Sequence, residues 1–332
     1  MKRLTLIVML SMFFLIGNNI GSVWAGEPYG YLSSEPIAKR TDGEGFVFGN
    51  GTMDVDVGLL GGYISGYTKY HIIFNGGASE LEFPLKAYLG GINFGWGFKN
   101  EKKQEIMRME LKWLTNVSDG TGEMEDSDWI SGDGQPGLDI YSESCVRLRA
   151  HIININFAWN LWLVRFFSIG PMIGYRYQFF HYDVRDTEQI GYGVWAPYTI
   201  YADGETLEYE VKYHLPYIGL SSNLAFGKVF KINASLGYAP WASANDEDDH
   251  VLRYKLSKAD TDGHAFVGNL NTTLRLMAHL YLSGGVDYLW IETTGKQDQS
   301  FYAGPYVGWT AEVDDKIKSL QWVLYGTMTY RF

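Results

Sequence analysis

Two short acidic runs carry the side chains best suited to chemistry. In GEMEDSDWI, residues 122–130, Asp126 and Asp128 stand two residues apart, so on an extended backbone both carboxylates project to one face. Like charges that close share solvent or a proton, and one of the two pKa values is expected to rise. In WASANDEDDH, residues 241–250, Asp248 and His250 repeat the spacing. An aspartate beside an imidazole fixes its tautomer and stabilises its protonated form, which is how a histidine becomes a general base near neutral pH. Taken singly, either run also reads as solvated acidic surface. Metal chemistry is not expected. The single cysteine, Cys145, allows no intrachain disulfide and no cysteine metal cluster; it alternates with Ser144 and Val146 and reads as a wall residue. The histidines at 71, 151, 181, 214, 264 and 279 form no HExxH and read as lumen or interface residues. NDEDDH lacks the glycine and the twelfth-place glutamate of an EF-hand loop.

Strands are the elements available to position these residues. Met107, Met109, Leu111 and Trp113 interleave with Arg108, Glu110 and Lys112, the period of a strand with one wet face. From 207 to 217, Leu, Tyr, Val, Tyr, Leu and Tyr alternate with Glu208, Glu210, Lys212 and His214. In the last segment Leu320, Trp322, Leu324, Met328, Tyr330 and Phe332 share one face, and Gln321, Thr327, Thr329 and Arg331 the other.

The whole chain has 332 residues, 46% hydrophobic and 16% aromatic, with 39 Gly and 9 Pro. A mean hydropathy of -0.14 excludes a polytopic helical membrane protein, and the charge and glycine content exclude disordered and collagenous classes. At the start, Lys2 and Arg3 precede 13 apolar residues, Leu4 to Ile16, and Val23-Trp24-Ala25 offers a cleavage site. The apolar run is too short for a membrane helix, which needs about 20 residues. Residues 1–25 are therefore expected to be a cleaved signal peptide and 26–332 a single domain. With two basic residues removed, the net charge moves from -11 to -13, which argues against nucleic acid and for cationic partners.

An alternating chain can form a soluble sandwich, with its apolar face inward, or an outer-membrane barrel, with that face toward lipid. The leader, the long strands and the abundance of Tyr and Trp favour the barrel. Ten strands are expected: 54–74, 79–99, 105–117, 138–158, 166–184, 206–226, 228–243, 251–277, 279–294 and 318–332. The short links 99–104 and 227–229 belong at one end. The polar stretches 118–137, 185–205 and 295–317 read as long surface loops, and the acidic runs are placed in the loops after strands three and seven.

Several segments together resemble one family. They are Met124, Asp126, Asp128 and Trp129; LPYIGL from Leu215; Trp241 followed nine residues on by His250; SGYTK from Ser65; GPMIGYRY from Gly170; and the closing aromatic strand. In this order, over nearly the whole mature chain, they are similar to the omptins, ten-stranded outer-membrane endopeptidases of aspartic type. The resemblance implies an all-β, antiparallel transmembrane barrel with long extracellular loops and an extracellular active site. It makes Asp248 and His250 the dyad that activates a water, and Asp126 and Asp128 the facing pair that binds it. That agrees with the absence of a cysteine nucleophile from both runs.

The resemblance also implies two acidic groups holding a basic P1 side chain. One matches Asp246; the other falls at Tyr70. A tyrosine can donate a hydrogen bond or stack on a guanidinium, but it cannot form a carboxylate's bidentate pair. The expectation is cleavage of cationic peptides beside basic residues, with a relaxed or shifted P1 and an acidic rim of Asp246, Glu247 and Asp249. No cofactor is implied beyond lipopolysaccharide, required for activity across the family, with Arg147, Arg176 and Arg253 as basic candidates. A monomer is the default for a closed barrel. The rival reading is a non-catalytic barrel acting as an adhesin or binding protein; ten strands leave little room for an open channel.

Overall fold

Every alternating stretch folds as a strand. The computed structural model describes residues 39–41, 45–48, 51–74, 76–130, 137–192 and 198–332; the expected leader, 1–25, lies outside them. Strands β1 (Lys39–Thr41) and β2 (Gly45–Phe48) form a hairpin against the start of β3 (Gly51–Phe74). Next come β4 (Gly77–Lys99), β5 (Glu105–Asn116), β6 (Gly120–Trp129), β7 (Ile140–Trp159), β8 (Leu161–Val164) and β9 (Phe167–Gly191). The chain finishes with β10 (Tyr198–Phe226), β11 (Phe230–His250), β12 (Lys255–Arg275), β13 (Leu280–Phe301) and β14 (Thr310–Arg331).

All pairings are antiparallel, and β14 returns to β3, with Leu324 opposite Tyr63 and Arg331 opposite Asp56. The sheet is thus a closed ring of ten places, the third held in turn by β5 and β6, both of which bridge β4 and β7. Among the described residues closure leaves no strand edge in the ring. At the break between β5 and β6, Asn116 stands in for backbone: its side chain donates to the Leu148 carbonyl at 3.2 Å and accepts from the Ala150 N–H at 2.8 Å. At the β3–β14 seam Gly66 has φ +142°, and a Cβ there would lie 1.9 Å from the Leu320 carbonyl oxygen, so glycine is required by close approach as well as by conformation.

One correction concerns the loops. The stretches 118–137, 185–205 and 295–317 are largely wall: β6 occupies 120–129, β9 and β10 extend through 191 and from 198, and β13 and β14 extend through 301 and from 310. The same holds for β11, which runs seven residues past its expected end at 243. Polar composition read as loop because these extensions face water on their outer side.

Along most of the wall the usual soluble pattern is inverted. Leu59, Tyr88, Ile92, Trp113, Leu236, Trp322 and Leu324 point outward and are exposed, while Arg176, Gln178, Asp287 and Gln321 are buried in the lumen. Near the end that carries the short links, Arg108 donates to Asp56 at 2.6 Å and Glu110 at 2.7 Å, and Arg331 donates to Asp56 at 2.6 Å. Farther up, Gln178 and Gln321 pair by their amides. These partners satisfy groups that would otherwise be costly to bury. Arg176, a candidate for lipopolysaccharide, is 2% exposed and inside. His151, His181, His214 and His264 alternate with buried residues and lie on the outer face.

Candidate active site

The site lies at the end of the barrel opposite the short links, on strand extensions beyond the apolar band. On β6, Met124 and Asp126 are buried while Glu123 and Glu125 are exposed, so Asp126 faces inward, and Asp128, by alternation, shares that face. Asp126 stands opposite Leu81 of β4, which stands opposite Tyr70 of β3. Asp246, Asp248 and His250 are all inward and buried on β11.

A bulge decides that orientation. Lower on β11, Leu236 and Tyr238 are exposed and Ala239 is buried, so even numbers point out. The β11–β12 register shifts between Ala239 and Ala242; Trp241 then points out, and Ala242, Ala244, Asp246 and Asp248 point in. A bulge adds one residue and reverses the parity of everything beyond it. Without it the dyad would lie on the outside wall.

His250 Nε2 lies 3.0 Å from Asp248 Oδ2. The same Oδ2 accepts a hydrogen bond from the Tyr70 hydroxyl across the barrel. Burial opposes the charge on Asp248, but His250, Lys255 and the Tyr70 hydroxyl outweigh it and hold the carboxyl below its ordinary range. For His250 burial is the larger influence: it overcomes Asp248 and, helped by Lys255 and Arg253, pushes the imidazole below its usual pKa. Proximity to aspartate alone predicted the opposite balance; desolvation reverses it. The imidazole is therefore neutral near pH 7, with its Nε2–H on Asp248 and Nδ1 as acceptor.

On the facing wall, burial and the neighbouring Asp128 carboxylate push Asp126 up to about 7, against the pull of Arg253 and Lys255. The spacing-based expectation of one raised carboxyl is met. Ser79 donates to Asp126 at 3.4 Å. Asp246 accepts from the Ala259 N–H at 3.1 Å and the Tyr209 hydroxyl at 3.3 Å. Burial, then Asp315 and Asp248, raise it well above the carboxylate range. Beneath the site, Phe83 stacks on Tyr209 at 4.3 Å, and Tyr70 packs on Tyr209 at 5.3 Å. Leu81, Leu85, Leu148 and Leu215 complete a buried apolar layer under the carboxylates. Such a layer lowers the local dielectric and strengthens every charge interaction above it.

The structure thus places all six expected residues on the inward side, with the Tyr70 hydroxyl joined to Asp248. The expected acidic rim is divided. Asp246 faces in, whereas Glu247 pairs with Lys258 at 2.8 Å and Asp249 accepts from Tyr302 at 3.0 Å. Sequence reasoning missed Asp315, Lys255 and Tyr209. Arg253, expected among lipopolysaccharide contacts, bears on Asp126 and His250. No group of three or more His, Cys, Asp or Glu that would hold a metal ion occurs among the described residues.

A closed antiparallel barrel with an inward Asp–His pair facing two aspartates defines the class. The omptin family model matches residues 95–282, more than half of the sequence, and the chain belongs to the omptin family. The plasminogen activator of Yersinia pestis is 23% identical over 197 residues, 58% of this chain and 60% of that protein. The match thus spans about three-fifths of that relative's length. The crystal structure of the outer membrane protease OmpT from Escherichia coli superposes with a TM-score of 0.72, covering 84% of this chain and 97% of that one at 15% identity. That likeness is one of fold.

Proposed function

We propose that this chain is an outer-membrane endopeptidase that hydrolyses peptide bonds at the cell surface. The observation that carries the reading is the buried Asp248–His250 contact, 3.0 Å long, at the open end of a barrel and opposite a carboxyl poised near neutrality. Membership of a family whose relatives are named as a protease and a plasminogen activator supports it. The apolar outer band supports insertion of the barrel in the outer membrane with the site on the extracellular side, the exported chain having lost residues 1–25. With no edge open in the wall, the protein works as a monomer.

In this mechanism a water held by Asp126 and Asp128 gives a proton to Nδ1 of neutral His250, and its oxygen adds to the peptide carbonyl. The imidazolium that forms is stabilised by Asp248 and then returns the proton to the leaving amine as the tetrahedral intermediate collapses. No covalent intermediate forms. Desolvation serves the first step by keeping the imidazole free to accept; Asp248 serves the second. Asp246 draws basic side chains into the site, and Tyr70 forms the wall between that pocket and the dyad. Lipopolysaccharide is required for activity, with Arg147, exposed on the outer face of β7, available to its phosphates.

The test is incubation of refolded protein, with and without lipopolysaccharide, with a mixed peptide library read by mass spectrometry. Cuts beside Arg or Lys that appear with lipopolysaccharide are expected. No cuts under either condition would move the function to adhesion or binding.

A further inference from the structure

Asp315 plays no part in the mechanism above, yet it is among the least comfortable groups in the barrel. It lies on β14 in the stretch Val313, Asp315, Ile317, all buried, between Asp314, which is exposed, and Lys316, which is less buried. Asp315 is 3% exposed, and neither of its carboxylate oxygens has a hydrogen-bond partner from another element. Among the described residues the group that favours its charge is the N–H of the next residue, Lys316. Among the described residues neither Asp315 nor Asp246 forms an ion pair, although lysines flank both strands: Lys258 goes to Glu247 at 2.8 Å and Lys316 to Glu292 at 2.6 Å, on the outer face.

Asp315 is also the strongest charged neighbour of Asp246. Between β11 and β14 the inward residues include Ala244, Ala259, Thr261 and Thr293, all buried, with Gly295 directly opposite Asp315; Gln297, buried in the row of Asp246 and Ala259, has its Nε2 without a partner. Gly295 adds no side chain beside the Asp315 carboxylate, and Gln297 is the neutral amide nearest in register to Asp246 across β12. Tyr209 supplies an aromatic wall, donating to Asp246 at 3.3 Å. Burial pushes the Asp315 carboxyl up to about 7, which is the response of an acid kept from water without a counter-charge. A buried carboxylate pair with no internal cation is complementary to an external one.

The geometry points to Asp246 and Asp315 as a carboxylate pair that takes one cationic substrate side chain, with Asp315 providing the second acid that Tyr70 cannot. This deepens the endopeptidase reading and rests on it for the word substrate. A guanidinium is the better fit, because its planar fork presents donors to two carboxylates at once, whereas an ammonium is a compact point charge. On this account the second acid is supplied from β14 instead of β3, and the strand-three position is released to hold Asp248.

The test measures binding apart from cleavage. Refolded full-length protein is titrated calorimetrically with N-acetyl-arginine amide and with the neutral isostere N-acetyl-citrulline amide, and N-acetyl-lysine amide ranks the ammonium. Wild type and His250→Ala should bind the arginine probe alike and the citrulline probe at least tenfold more weakly. Asp315→Asn and Asp246→Asn should each lose at least tenfold for arginine, while Asp314→Asn, on the outer face, should lose nothing. Asparagine matches the shape of aspartate and removes an uncompensated buried charge, so these variants are expected to fold; the mobility of unheated protein on a denaturing gel checks that. Arginine binding unchanged by Asp315→Asn, or no preference for arginine over citrulline, would overturn the inference. The peptide-library result stands apart from it: cuts without a role for Asp315 leave the protease reading intact, and probe binding without cuts leaves the pocket but removes the protease.

Discussion

At the scale of single residues, the site works by setting burial against charge. Asp126 shows the sign most directly. Its folded pKa of about 7 lies above the ordinary 3.8, so its protonated form favours folding. That contribution is fully present below about pH 4 and is lost as pH rises through 7. Asp126→Asn should therefore leave Tm near the wild-type value at about pH 3.5 and raise it at pH 8, by about 2–4 °C per kcal/mol regained. Thermal melts at the two pH values check this. Tyr70 gives a second prediction. Its hydroxyl, held protonated by burial and by Asp248, takes part of the negative charge of Asp248 away from His250. Tyr70→Phe should raise the His250 pKa and move the acid limb of kcat/KM to higher pH; an unmoved limb would deny it a positioning role. Spacing alone made Asp126, Asp128, Asp248 and His250 legible, because an i, i+2 pair shares a strand face whatever the fold. The partner of Tyr70 was not legible: it lies 178 residues away, across a lumen whose diameter no local pattern encodes.

At the scale of the strand, parity decides which residues meet. The bulge at Ala239–Ala242 turns β11 so that its last inward residues are Asp246, Asp248 and His250. Excision of Trp241 should remove the bulge and leave these three side chains facing in, whereas insertion of one alanine between Ala244 and Asn245 should carry them outward and abolish activity with every site residue still present. A single cysteine in place of His250, in a Cys145→Ser background, should then react with a water-soluble maleimide markedly faster in the chain with the inserted alanine than in the chain without it. Ten strands and their order were readable from period two, since each has an apolar face. Their upper halves were not, because above the apolar band the outer face is polar too, as with Lys69, Glu80 and Glu82. The contrast that marks a strand fades there, and the residues read as loop. Asp315 was lost for that reason: it sits in the extension of β14, where Val313, Asp315 and Ile317 keep the period without the usual difference in polarity.

At the scale of the whole molecule, the apolar band fixes where the site stands. Leu236, 74% exposed, lies near the middle of that band on β11. Leu236→Arg should cost about 2–4 kcal/mol of folding stability in lipid vesicles, as a cation does at a bilayer midplane, and much less in detergent; equal stability in both media would contradict a lipid-facing band. The ring then lifts the strand ends above the band, so that a buried dyad and its facing aspartates lie at an open mouth with an aromatic layer below. The central claim is that these two walls act together on one water. It is tested by kcat/KM for an arginine-containing peptide with wild type, His250→Ala and Asp126→Ala, each shown to be folded. The account predicts a loss of about 10²–10⁴-fold in each variant, the range of positioned acid–base groups. Cleavage by either variant at the wild-type rate would contradict it.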